Sequence, residues 1–143
     1  MTIDPPETLD AADVARVRAV VAALRRSDLR DVSEDFYGRL FAKAPELRGL
    51  FRDDIGAQGM RFMGALGVLA DAADRPERME AELRELGRGH AAYGVTAEMF
   101  APMREALLET LRARLGAAAF PAESERAVGA LYDRAADAML AAA

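Results

Sequence analysis

The sequence predicts an all-α fold of about seven helices in a single domain, and three features of its pattern predict it. Apolar residues recur at helical spacing almost throughout. Strand signals are nearly absent: there is no sustained alternation and no Asn-Gly or Asp-Gly turn. Pro45, Pro76, Pro121 and Gly94 fall between periodic segments, where helices start or stop.

Taken in order, Val14, Val17, Val21 and Leu24 fall at steps of three and four, so 10–26 reads as an amphipathic helix. Ser27 and Asp28 supply the next N-cap. A second helix then runs to Lys43 with Val32, Phe36, Leu40 and Phe41 inward. Pro45 opens a short third helix through Leu50. A long fourth helix spans 54–74 and ends before Pro76. The segment 77–91 carries Met79, Leu83, Leu86 and His90 on one stripe, and Gly94 stops it. Thr96 caps the next helix, with Phe100, Met103, Leu107 and Leu111 inward and an end near Gly116. Pro121 opens the last helix, through 140, with Val128, Leu131, Tyr132 and Ala135 on one face. No repeat or linker divides the 143 residues, and 1–9, acidic with Pro5 and Pro6, is expected to be a flexible arm.

Composition removes several function classes. With no cysteine, disulfides, iron–sulfur clusters and thiolate zinc sites are excluded. With one histidine, so is any site needing two imidazoles. Lys+Arg 19 against Asp+Glu 24 gives a net charge of −5, which argues against nucleic acid as a partner. A hydrophobic content of 52% with interspersed charges argues against disorder. No apolar run is long enough to span a bilayer and no signal peptide is legible, so no membrane partner and a cytoplasmic location are expected.

His90 is therefore the residue to weigh first. One reading is a core histidine with a satisfied hydrogen bond, or a cation favoured at a helix C-terminus. The other is an axial ligand to haem iron, which needs only one protein imidazole. Gln58 stands in line with Phe62, Ala65 or Leu66, and Leu69, either as a boundary residue or as a donor aimed into an apolar pocket. Tyr37 is either a core ring with a surface hydroxyl or a second such donor. Gly56, Gly59, Gly64 and Gly67 each cost about 1 kcal/mol in a helix, which a close approach of another backbone would explain. Gly59 would let the second helix cross tightly at Ser33, bringing Tyr37 towards the Gln58 face.

Together these segments resemble one family. The run FYGRLFAKAPELRGLF from Phe36 to Phe51 resembles the start of a bacterial single-domain globin, or of the globin module of a flavohaemoglobin. Gln58-Gly59 followed by Ala65-Leu66-Gly67 resembles the distal helix. Leu86-Gly87-Arg88-Gly89-His90, then Tyr93-Gly94-Val95, resembles the proximal helix and its exit. Ala101-Pro102-Met103 with Ala106-Leu107-Leu108 resembles the next helix. The likeness runs from about Val14 to Leu140, nearly the whole chain.

The resemblance implies a globin fold of six to eight helices around a b-type haem, with His90 as the iron ligand. Tyr37 and Gln58 would face the ligand side, Phe51 would stack on the haem edge and Phe62 would cover the distal face. Leu86, Val95, Phe100 and Met103 would line the proximal side, and Arg61 would reach a propionate. It implies reversible binding of O₂, also of CO and NO, for oxygen binding, storage or delivery. An enzymatic alternative is NO dioxygenase fed by a separate reductase. A third is a sensor globin, haem-based or haem-free. Flavohaemoglobins place a tyrosine and a glutamate beside the proximal histidine; here those positions hold Phe100 and the alanines at 141–143. A monomer or a homodimer is expected.

Overall fold

Aspartates set the first helix starts. In the computed structural model, which describes residues 9–50, 55–92 and 96–141, and side chains at 9–49, 64–75, 77–88 and 96–140, Asp10 accepts from the Asp13 amide at 2.7 Å. This caps α1 (Ala11–Arg25), which buries Val14, Val17, Val20, Val21 and Leu24. Asp28 caps α2 (Leu29–Lys43) by accepting from the Arg30 and Asp31 amides. Ser27 plays no part in that cap; its hydroxyl donates back to the Ala23 carbonyl at 3.2 Å. Pro45 opens a 3₁₀ helix, Pro45–Leu50. α3 (Ile55–Ala72) and α4 (Pro76–Ala92) follow, then α5 (Ala97–Ala119) and α6 (Ala122–Ala141).

The all-α fold is what the structure has: six α-helices, one 3₁₀ helix and no strand among the described residues. Two boundaries differ in detail from the expectation. Thr96 precedes α5 in extended geometry, but its hydroxyl makes no capping bond. Its carbonyl instead accepts from the Met99 amide at 3.1 Å, closing a tighter first turn. The helix expected to end near Gly116 continues to Ala119, but Gly116 has φ +77°, a left-handed conformation that glycine alone adopts freely. Regular geometry therefore breaks there and resumes for one short turn.

Among the described residues, α2 packs most extensively on α3 and α5, and α4 packs on α6 and α3. α1 lies across α6 and α3. Among the described residues, α4 makes no comparable contact with α2 or α5. The core joins Val17, Val32, Phe36, Leu40, Leu107, Leu111, Val128 and Leu131 in one cluster, each almost wholly buried. Among the described residues, no helix is long and apolar enough to cross a membrane. Of the arm expected at 1–9, only Leu9 is described, and it packs against the core.

Candidate functional site

α2 brings Tyr37 inside. The ring is 3% exposed, packed edge-on to Phe36 with centroids 4.9 Å apart and stacked on Phe41 at 5.7 Å. Phe36 is fully buried and Phe41 half-buried, so Tyr37 sits between a core ring and a boundary ring. Ser33, one turn earlier, is fully buried, and its hydroxyl donates to the Leu29 carbonyl at 2.6 Å. This back-bond satisfies the hydroxyl without a partner from another helix.

α5 contributes Phe100 and Met103, each 8% exposed, to the same buried cluster as Tyr37. α4 contributes Leu86, half-buried and packed against that cluster. Met79 and Leu83, the preceding members of the Leu86 stripe, are buried, so this face of α4 points at the core. His90 continues the stripe in register on α4. Gln58, Arg61 and Phe62 lie on α3. The side chains of these four residues lie outside the described ones, and Phe51 and Val95 lie outside the described residues altogether. The close crossing expected at Gly59 falls outside them too. Of the other glycines, Gly67 faces α1, where an added Cβ would come within 2.9 Å of Arg25 Nη2. Gly64 has nothing within 4 Å, so no close neighbour accounts for it.

These residues fit a haem. A planar apolar group needs a slot between helices, apolar walls and one axial donor. Leu86, Phe100 and Met103 supply apolar wall, and α4 carries the chain's one imidazole.

One contact on this side escaped the sequence reading. Tyr132 of α6 donates its hydroxyl to the Phe100 carbonyl at 2.7 Å, with the two rings edge-to-face at 6.4 Å. Burial, with the nearby Asp133 carboxylate, pushes the Tyr132 phenol well above its usual pKa, against a smaller opposing pull from Arg104. The hydroxyl therefore stays protonated and clasps the first turn of α5 to α6. Its position on an apolar stripe signalled a buried tyrosine needing a partner. The partner, a backbone oxygen on another helix, carried no signal.

Electrostatics organise the other side of α2. Asp35 accepts from Arg39 and Arg114, both at 2.9 Å. Burial raises its carboxyl pKa, but the two guanidiniums outweigh burial and hold it below the usual range. Lys43 pairs with Glu109, and that hydrogen bond keeps the Glu109 carboxyl low despite its partial desolvation.

Comparison with known proteins points to one family. The family model described as Globin matches residues 34–139, well over half of the chain. A flavohemoprotein of Rhizobium meliloti (strain 1021) is 31% identical over 91 residues, covering 62% of this chain and 23% of the relative. A flavohemoprotein of Bordetella pertussis is 30% identical over 108 residues, covering 73% of this chain and 27% of the relative. The chain thus spans about a quarter of the length of these relatives. The matched segment runs from α2 to α6 and takes in both Tyr37 and His90, and on that match the chain belongs to the globin family.

Proposed function

We propose that residues 1–143 form one globin domain that binds O₂ reversibly, with CO and NO as further ligands, at a b-type haem held by His90. Membership of the globin family, with flavohemoprotein relatives, implies a haem. What supports the reading is that the one histidine lies on α4, at helical spacing after Met79, Leu83 and Leu86, while Tyr37 is buried on α2. The haem would supply the iron at which a diatomic gas binds.

The chain's own residues would do the rest. His90 would hold the iron from α4. Leu86, Val95, Phe100 and Met103 would exclude water beside it, with Phe51 at the haem edge, Phe62 on the distal face and Arg61 at a propionate. Tyr37 would offer a hydroxyl to the ligand, and Gln58 would offer a second donor or orient the first. A donor in apolar surroundings favours O₂, which draws negative charge, over CO, which draws little. A hydrogen bond to a charged acceptor is worth about 1.5–3 kcal/mol, or about 10- to 100-fold in rate.

Adding haem to the purified protein should produce a Soret band, and His90→Ala should lose tight retention because the chain has no other imidazole. No band in the parent protein ends the reading. Undiminished ligation in the variant moves the ligand elsewhere. Tyr37→Phe should speed O₂ dissociation about tenfold or more and leave CO dissociation nearly unchanged. Equal effects on both gases point to sterics.

The flavohemoprotein relatives favour a second reading, NO dioxygenase working with a separate reductase. Sustained NADH-dependent NO consumption after a reductase is added supports it. Consumption that stops after one turnover does not.

A further inference from the structure

A ladder of ion pairs ties α2 to α5 on the side of α2 turned away from Tyr37. Arg114 of α5 donates Nη1 to Asp31 Oδ2 at 2.6 Å and Nε to Asp35 Oδ2 at 2.9 Å. Its Nη2 adds a longer bond to the Asp31 carbonyl at 3.4 Å. Arg39 holds the other oxygen of Asp35. Further along, Lys43 pairs with Glu109, and with Glu105 at 3.9 Å. Positions 31, 35, 39 and 43 repeat every four residues, so they form one stripe of α2. Tyr37 lies two residues from both Asp35 and Arg39, about 200° around the helix.

The fork at Arg114 differs from the rest of the ladder. One guanidinium engages two carboxylates a full turn apart and the backbone oxygen of the first. That geometry resists rotation of α2 and sliding along its axis, which a single ion pair does not. Arg114 acts from the last regular turn of α5, two residues before the break at Gly116. Its side chain is 33% exposed and that of Asp35 22%, so solvent screens the pair only partly. Apolar packing around Phe36 and Leu40 also holds the helix but is less directional than the fork.

We propose that Arg114 is a positioning residue for Tyr37: by forking Asp31 and Asp35 it sets the rotation of α2 and so the reach of the Tyr37 hydroxyl into the ligand pocket. This rests on Tyr37 being the ligand's donor.

Arg114→Met keeps the aliphatic stem and removes the fork. Arg114→Lys keeps the charge but engages one carboxylate at a time. Two readouts separate positioning from mere stability. The first is the ratio of O₂ to CO dissociation rates in haem-loaded protein. The second is the ¹⁹F spectrum of fluorotyrosine-labelled, haem-free protein, whose three tyrosines are resolved by assigning Tyr37 through Tyr37→Phe. Arg114→Met should raise the ratio about three- to tenfold, a fraction of the Tyr37→Phe effect, and move the Tyr37 resonance but not that of Tyr132. Arg114→Lys should fall between. Arg126→Met, which breaks the α6–α1 pair with Asp13, should lower the melting temperature and move neither readout.

An Arg114→Met protein that melts lower but keeps the parent ratio and the parent Tyr37 resonance overturns the proposal. If Tyr37→Phe itself leaves the ratio unchanged, the donor reading fails instead. The ¹⁹F shift alone then decides whether Arg114 orients Tyr37.

Discussion

α2 and α4 carry the two side chains on which the proposed function turns, and the fold holds them in different ways. α2 buries Val32, Ser33, Phe36, Tyr37 and Leu40 and is tied to α5 by ion pairs that cross between helices. The described ion pairs of α4 are local: Arg84 with Glu80 at 2.8 Å, and Arg88 with Glu85 at 3.9 Å, all four side chains more than 60% exposed. Such pairs support the helix but do not place it, and each is worth only about 0.3–0.5 kcal/mol. What places α4 is its apolar stripe, and that stripe passes from buried Met79 and Leu83 to half-buried Leu86 on the way to His90. The protein alone settles where α2 lies. Under the proposed function, a haem would add packing at the end of α4 that bears His90.

Truncation on the two helices breaks or sharpens this contrast most strongly. In haem-free protein, Phe36→Ala removes a fully buried ring and should cost about 3–5 kcal/mol by denaturant unfolding. Leu86→Ala, from a half-buried site, should cost about 1–2 kcal/mol. Once haem is added, the Leu86→Ala penalty should grow, because the side chain then has a further neighbour to lose beyond the core it already packs on, while the Phe36→Ala penalty should hold steady. Equal costs without haem, or a Leu86 cost indifferent to haem, would show that α4 is as self-sufficient as α2.

How much of this was legible in the sequence follows the range of each interaction. The inward stripes of α1, α2, α5 and α6 were legible because burial repeats with the helical period: Val14, Val17, Val21 and Leu24 are all buried. Asp28 was legible as a helix start because a cap acts within three residues. The Arg114 fork was not, since it joins positions 83 and 79 residues apart and depends on how α5 crosses α2. Nor was the Tyr132 clasp, whose acceptor is a main-chain atom. Thr96 misled because a hydroxyl in the cap position need not be turned towards the amides. The assignment of His90 and Gln58 came from the family likeness; periodicity alone placed each on a face and left its role open.

Acid should weaken the α2–α5 seam selectively. The pKa of Asp35 in the folded chain lies below its ordinary value of 3.8, and that of Glu109 below 4.5. A carboxyl with a depressed folded pKa contributes stability above its unfolded pKa and loses it as pH falls through the folded value. The gap in melting temperature between the parent and Asp35→Asn should therefore be full at pH 6, shrink below about pH 4 and close in stronger acid. Glu80→Gln on α4 should leave a difference near zero throughout, since its pair is exposed. A gap for Asp35→Asn that is unchanged from pH 6 down to strong acid would mean that the carboxylate charge does not hold the seam.

The smallest effect tests the helix between these two. α3 packs on both α2 and α4, and its glycines ask whether it was built for close approach. At Gly64 an added methyl meets nothing within 4 Å and the site is exposed, so only backbone freedom in the unfolded chain is lost. Gly64→Ala should stabilise the protein by about 0.5–1 kcal/mol and leave ligand kinetics alone. Gly67→Ala differs because its methyl would press on Arg25 Nη2 at 2.9 Å. That atom ends a flexible, exposed side chain that can swing aside, so the helix gain should survive in part, with Val21 at 3.6 Å already in ordinary contact. Chemical denaturation of the two variants reads both values. A loss of stability at Gly64 would mean that this stretch of α3 moves in the folded protein to a place where a methyl does not fit. It would put α3 beside α4, not α2, among the helices whose position depends on what the pocket holds.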